Sequence, residues 1–534
     1  MSEEMREPKV AKEASYHEFN FDGQLLKDVT PKLDKFWWHY PHLLKLNLLL
    51  LGAVLVQTTN GYDGSMLNGL QSISLWQNYF GNPTGAYLGT MTSGTTYGLI
   101  ASLPFVTWFC ERFGRRWPVI GGSVAIIFGA ILQTAAQNYA MFVAGRFIIG
   151  FGLGVIQTCA PILLQETAYP SQRGKVTSFY EPTFPFGALL AAWITYGTNF
   201  ITGSSWSWRI PSLLQCVPSL FQIVLCYYCP ESPRWLVYNN REDEALEILI
   251  QYHGGGDRNS ELVRFEMAEI KTTLEAEKVQ KAAHWKEWLA TKGNRYRLFI
   301  VLIIPYMLQL AGNALVSYYL HLVLNSIGIT DSKTQLIING CIQIWALITA
   351  LIFAGSIDWL GRRFMFLGGQ LGMMVSYIIW TALSAKAQQT NFANSGLSTG
   401  VLAMIFLYQL FYHMAAPAGP TYAMEITPFS LRSKASMLYQ LQGQIAGIFN
   451  NYVNPIALVA IGWKYYIVYC VILAVWSAVV FFTFPETKGL GLEEVAARFD
   501  GADAVVGTAI LKRGGRDVEN SPTEPISLDH TIKA

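Results

Sequence analysis

Charge is what this sequence has least of. Only 14% of its 534 residues are Asp, Glu, Lys or Arg, against 52% hydrophobic, whereas soluble domains run near a quarter charged. That shortage excludes an ordinary soluble protein and points to a lipid environment. Net charge is +2, so no basic excess recruits nucleic acid, and no nucleic-acid partner is expected. The first 42 residues are polar and lack the short apolar core of a cleaved leader, so the first apolar stretch is expected to act as its own insertion signal. Cysteine is sparse: all seven lie within or at the ends of apolar stretches, which argues against a disulfide framework. Cys226 and Cys229 form a C-x-x-C with no second ligand pair, so buried thiols explain them better than metal ligation, and no metal or cofactor is expected. No P-loop is present, which excludes a built-in ATP motor. No nucleophile, base and metal constellation stands out, so the chain does not read as an enzyme.

What the chain does have is apolar length. Twelve stretches approach the roughly 20 residues that cross a bilayer, and each is expected to be helical, because helices satisfy their own backbone in lipid. They are Leu43–Asp63, Gly85–Phe109, Pro118–Gln137, Tyr139–Gln165, Gly174–Thr198, Trp208–Cys229, Leu298–Asn325, Gln335–Ile357, Phe364–Ala385, Ser398–Met424, Ser433–Ile461 and Trp463–Phe484. One long polar segment, Pro230 to Arg297, divides them six and six. The expected fold is therefore all-α and polytopic, with twelve transmembrane helices in two six-helix halves. The expected divisions are a tail over 1–42, a first half over 43–229, a loop with short surface helices over 230–297, a second half over 298–484 and a tail over 485–534. After Asp500 the composition reads as disordered. Arg112, Arg115, Arg116, Arg173, Lys175, Arg362, Arg363, Arg432 and Lys434 all fall on the same side as the central loop. The positive-inside rule makes that side, and both termini, cytoplasmic.

The halves repeat one another. ERFGRR at Glu111–Arg116 recurs as DWLGRR at Asp358–Arg363, Glu166 with Arg173 recurs as Glu425 with Arg432, and PES at Pro230 recurs as PET at Pro485. Three recurrences in one order, about 250 residues apart, indicate a duplicated six-span unit. Such a unit suits an alternating-access carrier whose halves rock about a midplane site.

With GYDG at Gly61, GRR at Gly114 and Gly361, GRFIIGFGLG at Gly145, PESPRWL at Pro230 and PETKG at Pro485, the chain resembles the sugar porter family of the major facilitator superfamily. GNALVSYYL at Gly312 and NGYDGSMLNGLQ at Asn60 resemble the fungal branch that holds lactose, cellodextrin, pentose and hexose permeases. The resemblance implies a cytoplasmic gate of Arg and Glu groups that pair across that face in the outward-facing state. Here those groups are Glu111, Arg115, Arg116, Glu166, Arg173, Glu231, Asp358, Arg362, Arg363, Glu425, Arg432 and Glu486, with Glu111 standing where the family more often has Asp.

Ionisable residues inside a span mark function by default. Asp63 and Arg146 both fall in the outer part of the membrane and can pair. The resemblance implies a proton-coupling pair, in which protonating Asp63 frees Arg146; the alternative is a static buried pair. A sugar needs groups that both donate and accept, which favours amides. Gln309, Asn313 and Ser317 share one helical face at i, i+4 and i+8, and Gln440, Gln444, Asn451 and Asn454 form another stripe; both either line a wet cavity or join helices. His413 either contacts substrate or packs. Tyr318 and Tyr319 either offer a ring to the sugar or fill space. Glu181 stands where many sugar porters have Gln, and it is a sugar acceptor, a second coupling group or a structural residue. Family amide and Trp positions are replaced by Ala346 and Pro420. The GFGLG run at Gly150 lies inside an apolar span, where close helix packing explains it.

The function expected from sequence is proton-coupled uptake of a mono- or disaccharide across the plasma membrane, with sugar, a proton and the bilayer as partners. A facilitative uniporter and a non-transporting sugar sensor are the alternatives.

Overall fold

The structure, a computed structural model, describes residues 29–31, 33–279, 285–390, 392, 394–428, 431–488, 495 and 498–500. The expectations for the tail after Asp500, for most of the tail over 1–42 and for residues 280–284 of the loop lie outside those residues, as does the side chain of Asp358.

The described residues form helices and no strand. Twelve cross the membrane. Span 1 is Pro41–Leu70, span 2 Gly85–Phe113, span 3 Arg116–Thr134 and span 4 Tyr139–Thr167. Span 5 is broken into Pro170–Ser178 and Thr183–Thr198, and span 6 into Trp206–Leu214 and Cys216–Tyr228. In the second half, span 7 comprises Lys292–Gln309, Asn313–Tyr318 and Leu320–Asn325, span 8 is Ser332–Leu360 and span 9 Arg362–Gln389. Span 10 is Ser395–Ala415 with Ala418–Ile426, span 11 Arg432–Ile461 and span 12 Tyr465–Thr483. Between the halves, Pro233–Tyr238, Glu242–Tyr252 and Glu261–Val279 form a small layer with its own apolar core of Trp235, Leu249 and Val263. We call the side carrying this layer the loop face.

Several breaks have one cause. A proline cannot donate to the carbonyl four residues back. Pro182 thus ends the first piece of span 5 at Ser178, Pro218 interrupts span 6 after Leu214, and Pro420 interrupts span 10 at Ala416. In span 7, Gly312 takes a left-handed φ of 95°, a conformation that glycine adopts without steric cost. Spans 5, 6, 7 and 10, each expected as one continuous helix, are broken: Glu181 lies in a turn between two helix pieces, and Gln309 and Asn313 lie on separate pieces. Span 1 also continues seven residues past Asp63, to Leu70, because its polar residues there find buried partners.

Among the described residues, eight stretches are by themselves long and apolar enough to cross a membrane, the last of them covering spans 11 and 12. Spans 2, 5 and 7 fall short of that standard. All three face the central cavity. Across the halves, span 2 packs on span 11, span 5 on span 8 and span 1 on span 7.

One cysteine pair departs from expectation. Cys110 and Cys159 are bonded, tying span 2 to span 4 with Cα atoms 6.6 Å apart. Helix packing brings the thiols together across 49 residues, a proximity that sequence spacing does not reveal.

Candidate transport site

The two repeated loop-face motifs build the same corner twice. Gly114 and Gly361 have φ of 90° and 89°, and in each case a neighbouring carboxylate, from Glu231 or Glu486, fills the place where a Cβ would sit. The Glu231 carboxylate accepts from the backbone N–H of Arg115 (2.9 Å) and Arg116, and Glu486 accepts from those of Arg362 and Arg363, both at 3.0 Å. Each carboxylate thus caps the start of the following span, satisfying orphan donors at its positive end. Burial pushes the Glu231 carboxyl up, and those backbone donors oppose the shift.

Most of the remaining gate candidates pair within their own halves. Arg115 Nε meets Glu166 Oε2 at 3.1 Å, and Arg362 Nη2 meets Glu425 Oε1 at 2.7 Å. Arg116 donates to the Cys229 carbonyl at 3.0 Å, Arg363 to that of Phe481 at 2.7 Å, and Arg432 to that of Thr427. Arg173 lies 3.8 Å from Glu266 of the central layer. Glu111 leaves its carboxylate exposed and uses only its backbone carbonyl, which accepts from Trp235 Nε1 at 2.8 Å. The resemblance implies pairing across this face in the outward-facing state; here the loop face is parted, and these gate groups meet neighbours in their own halves or, for Arg173, in the central layer.

Between the halves lies a cavity of about 1260 Å³. At the loop face Glu166, Pro170, Arg173 and Arg234 form its mouth, and at its deep end stand Asp63, Arg146, Thr92 and Thr95. The opposite face is closed. There Asn68 Nδ2 donates to the Val316 carbonyl (3.3 Å) and to Asn339 Oδ1 (3.2 Å), and its Oδ1 accepts from Leu320 N at 3.2 Å. Gln71 Nε2 donates to the Tyr318 carbonyl at 2.7 Å. These amides from span 1 satisfy backbone groups around the Tyr319 break in span 7, which a continuous helix would have paired internally. An apolar cluster of Tyr62, Leu67, Trp76, Tyr319 and Leu336 completes the seal.

Asp63 and Arg146 meet as a two-bond fork, Nη1 to Oδ1 at 3.3 Å and Nη2 to Oδ2 at 3.2 Å. Their side chains are 5% and 2% exposed. Two further residues hold them, neither evident from sequence: Gln215 Nε2 donates to Asp63 Oδ1 at 2.8 Å, and Arg146 Nη2 donates to Thr95 Oγ1 at 3.3 Å. Gln215 sits at the break of span 6, so the proline that interrupts that helix also places the amide.

Of the substrate candidates, Glu181, Gln309, Asn313, Tyr318, His413 and Asn451 line the cavity. Glu181 Oε1 accepts from Gln57 Nε2 at 3.1 Å, a donor on span 1. Asn454 and Tyr319 do not line it. Asn454 Oδ1 accepts from the Tyr465 (2.8 Å) and Tyr469 (2.5 Å) hydroxyls of span 12, so this residue joins helices, and its place in the substrate set is corrected. Tyr319 is buried and donates to the Asn451 carbonyl at 2.6 Å, so it fills space in the seal. Further amides on the wall are Gln157, Gln343, Gln409 and Gln444. Ala346 and Pro420 are there too, leaving those parts of the wall apolar.

Two six-helix halves around a cavity that opens on one face and is sealed on the other are the build of a carrier of the major facilitator superfamily. The chain belongs to the sugar (and other) transporter family, whose model matches residues 49–499; this is a family of transporters, not enzymes. It is 28% identical over 487 residues to a high-affinity glucose transporter of Kluyveromyces lactis, covering 88% of each chain. It is 30% identical over 418 residues to a sugar transporter of Saccharomyces cerevisiae, covering 76% of this chain and 71% of that one. The fold is similar to the inward-open xylose transporter XylE of E. coli, with a TM-score of 0.69 at 22% identity, over 84% of this chain and 99% of that one.

Proposed function

We propose that this chain is a plasma-membrane symporter that brings a mono- or disaccharide into the cell together with a proton, its loop face and both termini cytoplasmic. The observation that carries the reading is the cavity: amides and hydroxyls from both halves line it, and it ends at the buried Asp63–Arg146 pair. Amides offer a neutral polyol both donors and acceptors. The carboxylate offers a proton site whose occupancy alters a buried ion pair. With Asp63 ionised, the fork to Arg146 holds spans 1 and 4 together. Protonation removes the charge that Arg146 balances and releases the guanidinium to the cavity, so proton binding is tied to conformation. Relatives with glucose or sugar in their names and the cluster of loop-face Arg residues support the substrate class and the orientation.

The test is sugar uptake in a transporter-deficient yeast strain, with and without a proton gradient, for the native chain and for Asp63→Asn. The native chain should accumulate sugar against its gradient. The variant should lose accumulation while keeping part of its exchange of labelled for unlabelled sugar. Undiminished accumulation in the variant removes Asp63 from the mechanism, and gradient-independent uptake by the native chain establishes the uniporter instead.

A further inference from the structure

Outside the transport path, where the central layer meets the membrane half, a histidine and a glutamate are buried together. His253 follows the Glu242–Tyr252 helix, Glu266 lies on Glu261–Val279, and their side chains are 3% and 4% exposed. His253 Nδ1 is 2.6 Å from Glu266 Oε2, and Nε2 is 3.2 Å from the carbonyl of Thr167, the last residue of span 4. A carbonyl only accepts, and so does an ionised carboxylate. A neutral imidazole carries one N–H and can serve only one of the two. Both bonds are made only when the pair holds one proton more than neutral histidine plus ionised glutamate.

We propose that His253 and Glu266 form a second proton-binding site, separate from the transport path, whose proton fastens the central layer to the turn between spans 4 and 5. Other charged and titratable groups surround the pair. Arg173 lies 3.8 Å from Glu266 Oε1. Tyr169 stacks edge-on against the imidazole, with centroids 5.6 Å apart. From span 1, His42 approaches Gly255 and Lys45 lies over the Tyr252 ring. The turn so fastened is flanked by Glu166 of span 4 and by Pro170 and Arg173 of span 5, all at the cavity mouth, so the protonation state of this site governs what backs the mouth.

Amide hydrogen exchange in Glu261–Val279, measured on the full-length protein in nanodiscs across a pH series and corrected for intrinsic rates, tests this. One proton bound in the docked state and released on undocking makes protection fall about tenfold per pH unit between the pKa of the undocked pair and that of the docked pair. Glu266→Gln is the discriminating change: an amide N–H can donate to neutral Nδ1 while Nε2–H serves Thr167, so docking should persist with its pH slope abolished. His42→Asn should leave the slope intact. A flat native profile, a slope retained in Glu266→Gln, or a slope lost in His42→Asn overturns the proposal. If Glu266→Gln undocks the layer at every pH, the ¹⁵N resonances of the native His253 ring decide: two N–H signals in the docked state support the site, and one refutes it.

Discussion

Asn68→Ala should shift the carrier toward opening on the face opposite the loop. Asn68 makes three hydrogen bonds to the other half, to the Val316 carbonyl, the Asn339 side chain and the Leu320 amide. All three exist only while that face is closed, and on opening, water takes their place. A buried hydrogen bond contributes about 0.5–1.5 kcal/mol net, and bonds of 3.2–3.3 Å belong at the low end. Their sum is about 2 kcal/mol, or roughly 30-fold in the equilibrium between the two conformations. Gln71→Ala removes one such bond and should shift it about fivefold, by roughly 1 kcal/mol. Because both residues serve the same break in span 7, the double variant is expected to be non-additive. Ser74 and Ser332 face each other across the halves on this side, with Oγ atoms 3.5 Å apart. Spin labels at these two positions, in a chain whose native cysteines are replaced, report the closed population as a short distance by electron–electron resonance. The long-distance fraction should rise in Asn68→Ala, and to a smaller extent in Gln71→Ala. An unchanged distance distribution would refute the reasoning and assign closure to the apolar cluster around Trp76 and Tyr319 alone.

Glu181→Gln keeps the side-chain shape and the contact to Gln57. It should alter apparent sugar affinity and substrate ranking in competition uptake while gradient-driven accumulation continues; loss of accumulation with normal binding would make Glu181 a coupling group. Gln309→Ala should weaken sugar binding to the purified protein more than it lowers surface expression, and normal binding would make its stripe helix glue. Asn454→Ala should do the opposite: leaving the Tyr465 and Tyr469 hydroxyls without their acceptor costs about 1–3 kcal/mol, read as a lower melting temperature with sugar binding retained. Arg362→Gln, which removes the Glu425 pair while the backbone cap from Glu486 remains, should cost about 1–3 kcal/mol, because the Arg362 side chain is 10% exposed and donates twice to the Glu425 carboxylate; an unchanged thermal unfolding would contradict that.

The membrane class, the twelve spans, the duplication and the two buried charges Asp63 and Arg146 were legible in the sequence, because each is a local property. Lipid solvation demands about 20 apolar residues per crossing and makes any intramembrane charge conspicuous. Pairing is not local. Gln215 and Thr95 hold the Asp63–Arg146 fork from spans 6 and 2, and only packing reveals which of many buried amides and hydroxyls lies within reach. Asn451 and Asn454 make the same point at closer range. Three residues apart on span 11, they share a polar stripe, yet Asn451 lines the cavity while Asn454 turns to the tyrosines of span 12. A helical stripe wide enough to be recognised spans more than one neighbour, so periodicity identifies the face without saying what it meets. The breaks in spans 5 and 7 depend on tertiary context as well: Pro182 and Gly312 permit them, but the groups they free are stable only because a cavity or an amide from the other half receives them. Whether the loop-face charges pair within or across halves is likewise a property of the conformation, since the same residues serve both arrangements and the sequence is common to both.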